Sequence, residues 1–295
     1  MFNSMEDCSV SSFIGNLFQS NIVISSSIIV TICSITANTL ASFGVWSLYR
    51  RPMGRTPKLL LSLFVTNCLT VFAVVSLCLY RFTEEFQQLF YYSIHISIIA
   101  FLTLWSSEMV FLVTLDRYLI IVRGRWYLLF KKSFPFLLFG CAFIISTFSA
   151  YMFYAMTYMG STANIIHLLV YGGILAINLT LCLLFNVKML IYVRRKLTLV
   201  GSIGVGLRNS VAKTVFSMTL SSTFCQTFQI TVLEFFVTSI LTKSNISNCG
   251  YMLGILFIYC VMTHAGITPL IYFLRNKRMA CCVNITRSFV FDCKC

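Results

Sequence analysis

The chain has 295 residues, of which 58% are hydrophobic and only 10% charged, with 28 phenylalanines and a formal charge of +14. Soluble domains carry about 25% charged residues, so this composition excludes an ordinary water-soluble globule. The apolar stretches use nearly all the length, leaving no separate soluble domain, and the spread of the positive charge argues against a nucleic-acid partner.

Seven apolar stretches follow one another at residues 21–48, 59–80, 91–122, 134–156, 165–192, 211–240 and 250–274. A helix that crosses a bilayer needs about 20 such residues, and each stretch suffices. The third, fifth and sixth are long enough to tilt or to protrude into the cytoplasm. Lipid offers no partner to an open backbone hydrogen bond, so all seven are expected to be helices. The expected fold class is an all-α membrane protein, a seven-transmembrane-helix bundle. Residues 1–20 form an outer tail, 21–274 the bundle, and 275–295 a short cytoplasmic segment.

Orientation follows from the basic residues. Arg50, Arg51, Arg55 and Lys58 follow the first stretch, and Arg123, Arg125, Lys131 and Lys132 the third. Arg194, Arg195, Lys196, Arg208 and Lys213 lie in a short third loop, at about 194–208, and its approach to the sixth stretch; Arg275, Lys277 and Arg278 follow the seventh. The opposite side holds Arg81 and Lys243 with Glu6, Asp7, Glu84 and Glu85. The positive-inside rule then puts the N-terminus outside and the C-terminus in the cytosol of a cell-membrane protein. Part of the +14 is expected to lie on anionic membrane lipid. Residues 1–20 lack a basic n-region and a cleavage site, so the first stretch reads as a signal anchor.

The thirteen cysteines sort by side. Those within the stretches are small apolar thiols that pack. Cys281, Cys282, Cys293 and Cys295 face the reducing cytosol. Cys8 and Cys249 face the oxidising side, either as a disulfide from the tail to the top of the seventh helix or as two free thiols. No Cys/His spacing resembles a metal site, so no metal or cofactor is expected. No nucleophile–base arrangement points to an enzyme. Asn245-Ile246-Ser247 is the glycosylation sequon that falls outside.

The third stretch ends in Leu115-Asp116-Arg117-Tyr118-Leu119-Ile120. An acid and an arginine at the edge of a membrane span are costly to hold there; taken alone, they are either functional or an interfacial pair that anchors the helix. The seventh stretch closes with Thr268-Pro269-Leu270-Ile271-Tyr272-Phe273-Leu274-Arg275. The first carries Ala37-Asn38-Thr39-Leu40, and the second Leu60-Leu61-Ser62-Leu63-Phe64-Val65-Thr66-Asn67.

Together these resemble the rhodopsin-like class of G-protein-coupled receptors over nearly the whole chain. Asp116-Arg117-Tyr118 is similar to that family's DRY motif. The resemblance implies that the acid holds the guanidinium close at rest and frees it towards a heterotrimeric G protein on opening. Tyr127, nine residues after Tyr118, fits the second-loop pattern. Pro269 and Tyr272 resemble the NPxxY motif, in which a proline that removes a backbone donor permits a kink. The motif runs into a short amphipathic helix 8, with Cys281 and Cys282 as palmitoylation sites; unmodified thiols are the alternative. Asn38, Asn67, His264 and Thr268 form the expected interior polar network, with His264 in contact with Asn67 or water. The helix-7 ending is weakly similar to olfactory-type receptors.

The departures from the family are several. Its outer disulfide has no counterpart: the helix-3 position falls at Tyr92, and residues 160–164 hold no cysteine. Helix 6 reads Cys225-Gln226-Thr227-Phe228 where the family has CWxP. Helix 5 lacks its proline and helix 4 its tryptophan, so helices 5 and 6 are expected to be straighter. Asn67 replaces the carboxylate that holds sodium elsewhere, which predicts weak or absent sodium regulation.

Aligned from Arg117, His95, Ile99 and Thr103 face the family's ligand pocket, with Gln226, Gln229, Ile258 and Met262 from helices 6 and 7. No acid stands ready for an ammonium and no base for a carboxylate. The lining suits a small neutral or lipid-like ligand, or is packed core with no ligand. Glu108, mid-helix 3, is expected to bond a neighbour on helix 4 or 5. The function expected is a signalling receptor with high basal activity, chemosensory or virus-encoded. The alternative is a non-signalling seven-helix decoy or heteromer scaffold. A transporter predicts internal repeats and interrupted helix pairs, and neither is present.

Overall fold

The computed structural model describes residues 21–48, 55–80, 89–123, 134–156, 161–200, 203–241 and 248–275, with side chains over the inner part of each segment. All are helical apart from Arg123. The seven helices are α1 (Asn21–Leu48), α2 (Arg55–Tyr80), α3 (Leu89–Val122), α4 (Phe134–Met156), α5 (Ser161–Val200), α6 (Ile203–Leu241) and α7 (Asn248–Arg275).

Several ends run past the apolar stretches. The helix α2 begins at Arg55 rather than residue 59, and Pro57 sits in its first turn. There a missing N–H costs nothing, because no acceptor precedes it in the helix. Pro135 opens α4 in the same way. The expected loop at about 194–208 is a correction: α5 continues to Val200 and α6 starts at Ile203. Hydropathy fades at Arg194, but Arg, Lys and Leu are good helix formers. Only Pro269 lies inside a helix among the described elements.

Five helices contain segments long and apolar enough to cross a membrane: Ile28–Trp46, Thr56–Ser76, Ser97–Val122, Leu137–Ala155 and Ile166–Arg195. The distribution of side chains is inverted relative to a water-soluble protein. Ile32, Phe43, Leu69, Phe72, Leu137, Ile144, Phe148, Leu169, Ile177 and Phe224 are exposed, while Asn38, Asn67, Asn186, Gln226, Gln229 and His264 are buried. Soluble monomers rarely expose apolar patches beyond a few hundred Å². The chain is compatible with a multi-pass membrane protein.

Consecutive helices pack side by side, and α7 closes back on α1 and also touches α2. The central element is α3, which packs against α2, α4, α5 and α6. Of its apolar segment 72% is buried, against 17% for that of α4. Leu60, Leu63 and Phe64 of α2 join Trp105, Met109 and Val113 of α3 in the largest core cluster, with Tyr272 at its edge. Ile121, Met189, Val193 and Val215 join α3, α5 and α6 at one end. Little else buries α4, so aromatic contacts secure it. The Trp105 ring meets Phe139 at 4.9 Å and Phe143 at 5.8 Å, both edge-on. Such pairs contribute about 0.5–1.5 kcal/mol beyond area burial.

Candidate functional site

The last turns of α3 carry Asp116, Arg117 and Tyr118. Asp116 is buried, and its Oδ2 accepts a hydrogen bond from the Thr56 hydroxyl in the first turn of α2. Arg117 is half-buried beside it. The Tyr118 ring stacks on Phe185 of α5 with centroids 4.8 Å apart. One helix end therefore ties α3 to α2 by a charge-assisted hydrogen bond and to α5 by an aromatic contact.

At the matching end of α7, Tyr272 is buried and its ring lies 5.6 Å from Phe64 of α2. Pro269, three residues earlier, removes one helical N–H. The side chain of Thr268 turns back to the His264 carbonyl at 3.0 Å, within its own helix.

Between these ends and the other face runs a set of buried polar contacts that links nearly every helix. Asn38 of α1 donates to the carbonyls of Ser34 and of Ala265 on α7, each at 2.8 Å. The Ser34 hydroxyl donates to the Met262 carbonyl at 3.2 Å. These bonds need close backbones, and Gly266 permits the approach: a Cβ there would collide with the Ser34 side chain. Ser106 of α3 donates to Asn67 Oδ1 on α2 at 2.7 Å. The Asn67 amide nitrogen and the Asn38 amide oxygen, both buried, have no hydrogen-bond partner among the described residues.

Of the two contacts expected for His264, Asn67 or water, the one with Asn67 is not found among its described bonds. His264 Nε2 lies 3.0 Å from the Ser222 hydroxyl of α6. One turn along α6, Gln226 donates to Ser107 of α3 at 2.8 Å. One turn the other way, Thr219 accepts from Asn186 of α5 at 2.9 Å and meets Thr114 of α3 at 3.4 Å. Thr219, Ser222, Gln226 and Gln229 are all buried, and their spacing of three, four and three residues puts them on one helical face. This polar seam went unread in the sequence, although its spacing is visible there. Glu108 accepts from Asn178 of α5 at 3.0 Å, on one of the helices anticipated for it.

The predicted pocket residues divide. Met262 belongs to an apolar cluster with Val71, Val74, Val261 and Ala265, and Ile99 packs against it. Gln226 is engaged with Ser107, and Gln229 is buried. Thr103 is buried with its hydroxyl unpartnered, and His95 is half-buried. Ile258 and Cys249 lie in α7, with side chains outside the described set, and Cys8, Tyr127, Asn245, Cys281, Cys282 and the proposed helix 8 lie outside the described residues. Among the described residues no cluster of three or more His, Cys, Asp or Glu could hold a metal ion.

No protein-family model matches the chain, and a search of curated proteins finds no match.

Proposed function

We propose that the chain is a rhodopsin-like G-protein-coupled receptor: seven membrane spans, an amphipathic helix 8, the N-terminus outside, and a cytoplasmic face that engages a heterotrimeric G protein. The observation that carries this reading is the buried Asp116 carboxylate bonded to Thr56. A buried carboxylate is expensive unless hydrogen-bonded. Here its bond fixes the end of α3 against α2, with the half-buried Arg117 next in sequence. Tyr272 on Phe64 lies at the same end of the helices as the basic residues Lys58, Arg194 and Arg195. A positive surface there steers an acidic partner.

In this reading α6 moves without the proline and tryptophan that serve the family. Its hydrogen bonds to α3, α5 and α7 hold it closed, and opening exchanges them. Bonds of this kind between membrane helices average about 0.6 kcal/mol, so three or four resist opening by only a few kcal/mol. That range permits a substantial open population without ligand. A ligand, where one acts, is small and neutral or lipid-like, in keeping with the buried uncharged side chains of Thr103 and Gln229. Glycosylation at Asn245, acylation at Cys281 and Cys282, and a Cys8–Cys249 bond belong to the same proposal.

A second reading, a non-signalling decoy or heteromer scaffold, draws on the same seam: α6 bonded on three sides is suited to staying closed. Basal G-protein activation decides between them, with wild type and Arg117→Ala compared at matched surface expression. Signal in the wild type that the variant loses supports the receptor. Signal that survives unchanged in Arg117→Ala excludes the proposed role of that residue.

A further inference from the structure

Two cysteines, Cys225 and Cys260, meet across the contact between α6 and α7. The Cys260 thiol donates to the Cys225 carbonyl with sulfur and oxygen 3.5 Å apart. The register of the two helices explains the meeting. Ser222 and His264 are partners across the same contact. Cys225 lies three residues further along α6 and Cys260 four residues back along α7. On antiparallel helices those are the next positions on the facing sides. The pair therefore occupies the rung beside an interhelical hydrogen bond, where the local packing holds both side chains.

The other described cysteines, Cys33, Cys68, Cys141 and Cys182, are also free, and none is shown against another thiol. Exposure within the pair is unequal: Cys225 is buried and Cys260 half-buried. A reversible oxidation site needs this division, one sulfur that a small oxidant reaches and a neighbouring thiol that resolves the product.

We propose that Cys225 and Cys260 form an oxidative modification site that closes to a disulfide and staples α6 to α7. The oxidant is a small membrane-permeant peroxide. Cys260 loses a proton and its sulfur attacks one oxygen of hydrogen peroxide, breaking the O–O bond; that oxygen stays on Cys260 as a sulfenic acid, and the other takes up the proton and leaves as water. The Cys225 sulfur then attacks the sulfenic sulfur and displaces its oxygen as a second water. Two thiols have lost two electrons and two protons to one peroxide. A thiol reductant reverses the bond, and the chemistry is independent of whether the chain signals.

The test uses the full-length protein in membranes. After hydrogen peroxide treatment, free thiols are alkylated, the chain is digested without reductant, and linked peptides are identified by mass. The expected product joins the Cys225 and Cys260 peptides, disappears with dithiothreitol, and is missing from Cys225→Ser and Cys260→Ser. Both residues alkylated or singly oxidised, with no linked peptide, overturns the proposal. Phenylarsine oxide, which condenses with two adjacent thiols without oxidation, supplies a second measurement on the untreated protein. Protection of both cysteines from alkylation is expected. Protection without a peroxide-induced link overturns the oxidation site, and no protection overturns the adjacency on which it stands.

Discussion

Gln226 of α6 donates its amide to the Ser107 hydroxyl of α3 at 2.8 Å, deep in the protein. By its place in the chain Gln226 stands where the resembled family has an aromatic toggle. A side chain that packs there would be free to change rotamer; one that donates a buried hydrogen bond is held to a direction. On the receptor reading, motion of α6 is governed by which polar partners its inner face can find, and not by a proline hinge.

Replacing Gln226 by Leu removes the donor and leaves Ser107 its own hydroxyl to satisfy. Interhelical bonds in membranes are worth about 0.6 kcal/mol on average and up to about 1.7, so a modest fall in thermal stability in detergent is expected. On the receptor reading the same change loosens α6 and raises basal G-protein activation. Unchanged stability together with unchanged signal would show that the bond holds nothing.

Thr56 and Asp116 make a sharper case. Thr56→Val keeps the shape of the side chain and deletes one donor to a buried carboxyl group. Leaving a buried charged acceptor short of a partner costs about 1–3 kcal/mol or more. On the receptor reading, basal activation is expected to rise in Thr56→Val and to vanish in Arg117→Ala, and the double variant is expected to be silent. A double variant that signals like Thr56→Val would remove Arg117 from the mechanism.

The seven helices could be read almost to the residue at α1 and α4, because apolar runs of spanning length have few other fates in lipid. The extension of α5 past Arg194 could not, since hydropathy marks where the membrane ends and helix propensity carries on. Asn38, Asn67, Asp116 and Tyr272 were legible because single polar groups stand out in apolar stretches. Their partners were not. Ser106, Ser222, Thr56 and Asn178 are ordinary residues by composition, and only the packing of distant segments makes them hydrogen-bond partners. His264 shows the limit best: its position was clear from sequence, but its partner depended on how α6 rotates about its axis.

Gly266 tests the contact of α1 with α7. A Cβ there runs into Ser34, whose hydroxyl bonds the Met262 carbonyl, one helical turn from the bond between Asn38 and Ala265. Gly266→Val is expected to push the helices apart, break both bonds and reduce the folded yield strongly. Overpacking of this kind costs about 1–3 kcal/mol, and the lost bonds add to it. Gly173, where an added Cβ meets open space, serves as the control: Gly173→Ala is expected to fold at the wild-type level.

The Asn67 site makes the last prediction. Its amide oxygen accepts from Ser106, and its amide nitrogen, buried and unpartnered, is a donor where a cation would need an acceptor. Ser106, which bonds Asn67, is not a carboxylate either. Hard cations are held by oxygen ligands and above all by carboxylates. Raising sodium at constant ionic strength, with choline as the replacement, is therefore expected to leave both thermal stability and basal activation unchanged. Asn67→Asp supplies the missing charge, and there sodium is expected to raise the melting temperature. A sodium-dependent shift in the wild type, equal to that of the variant, would place the cation on other residues.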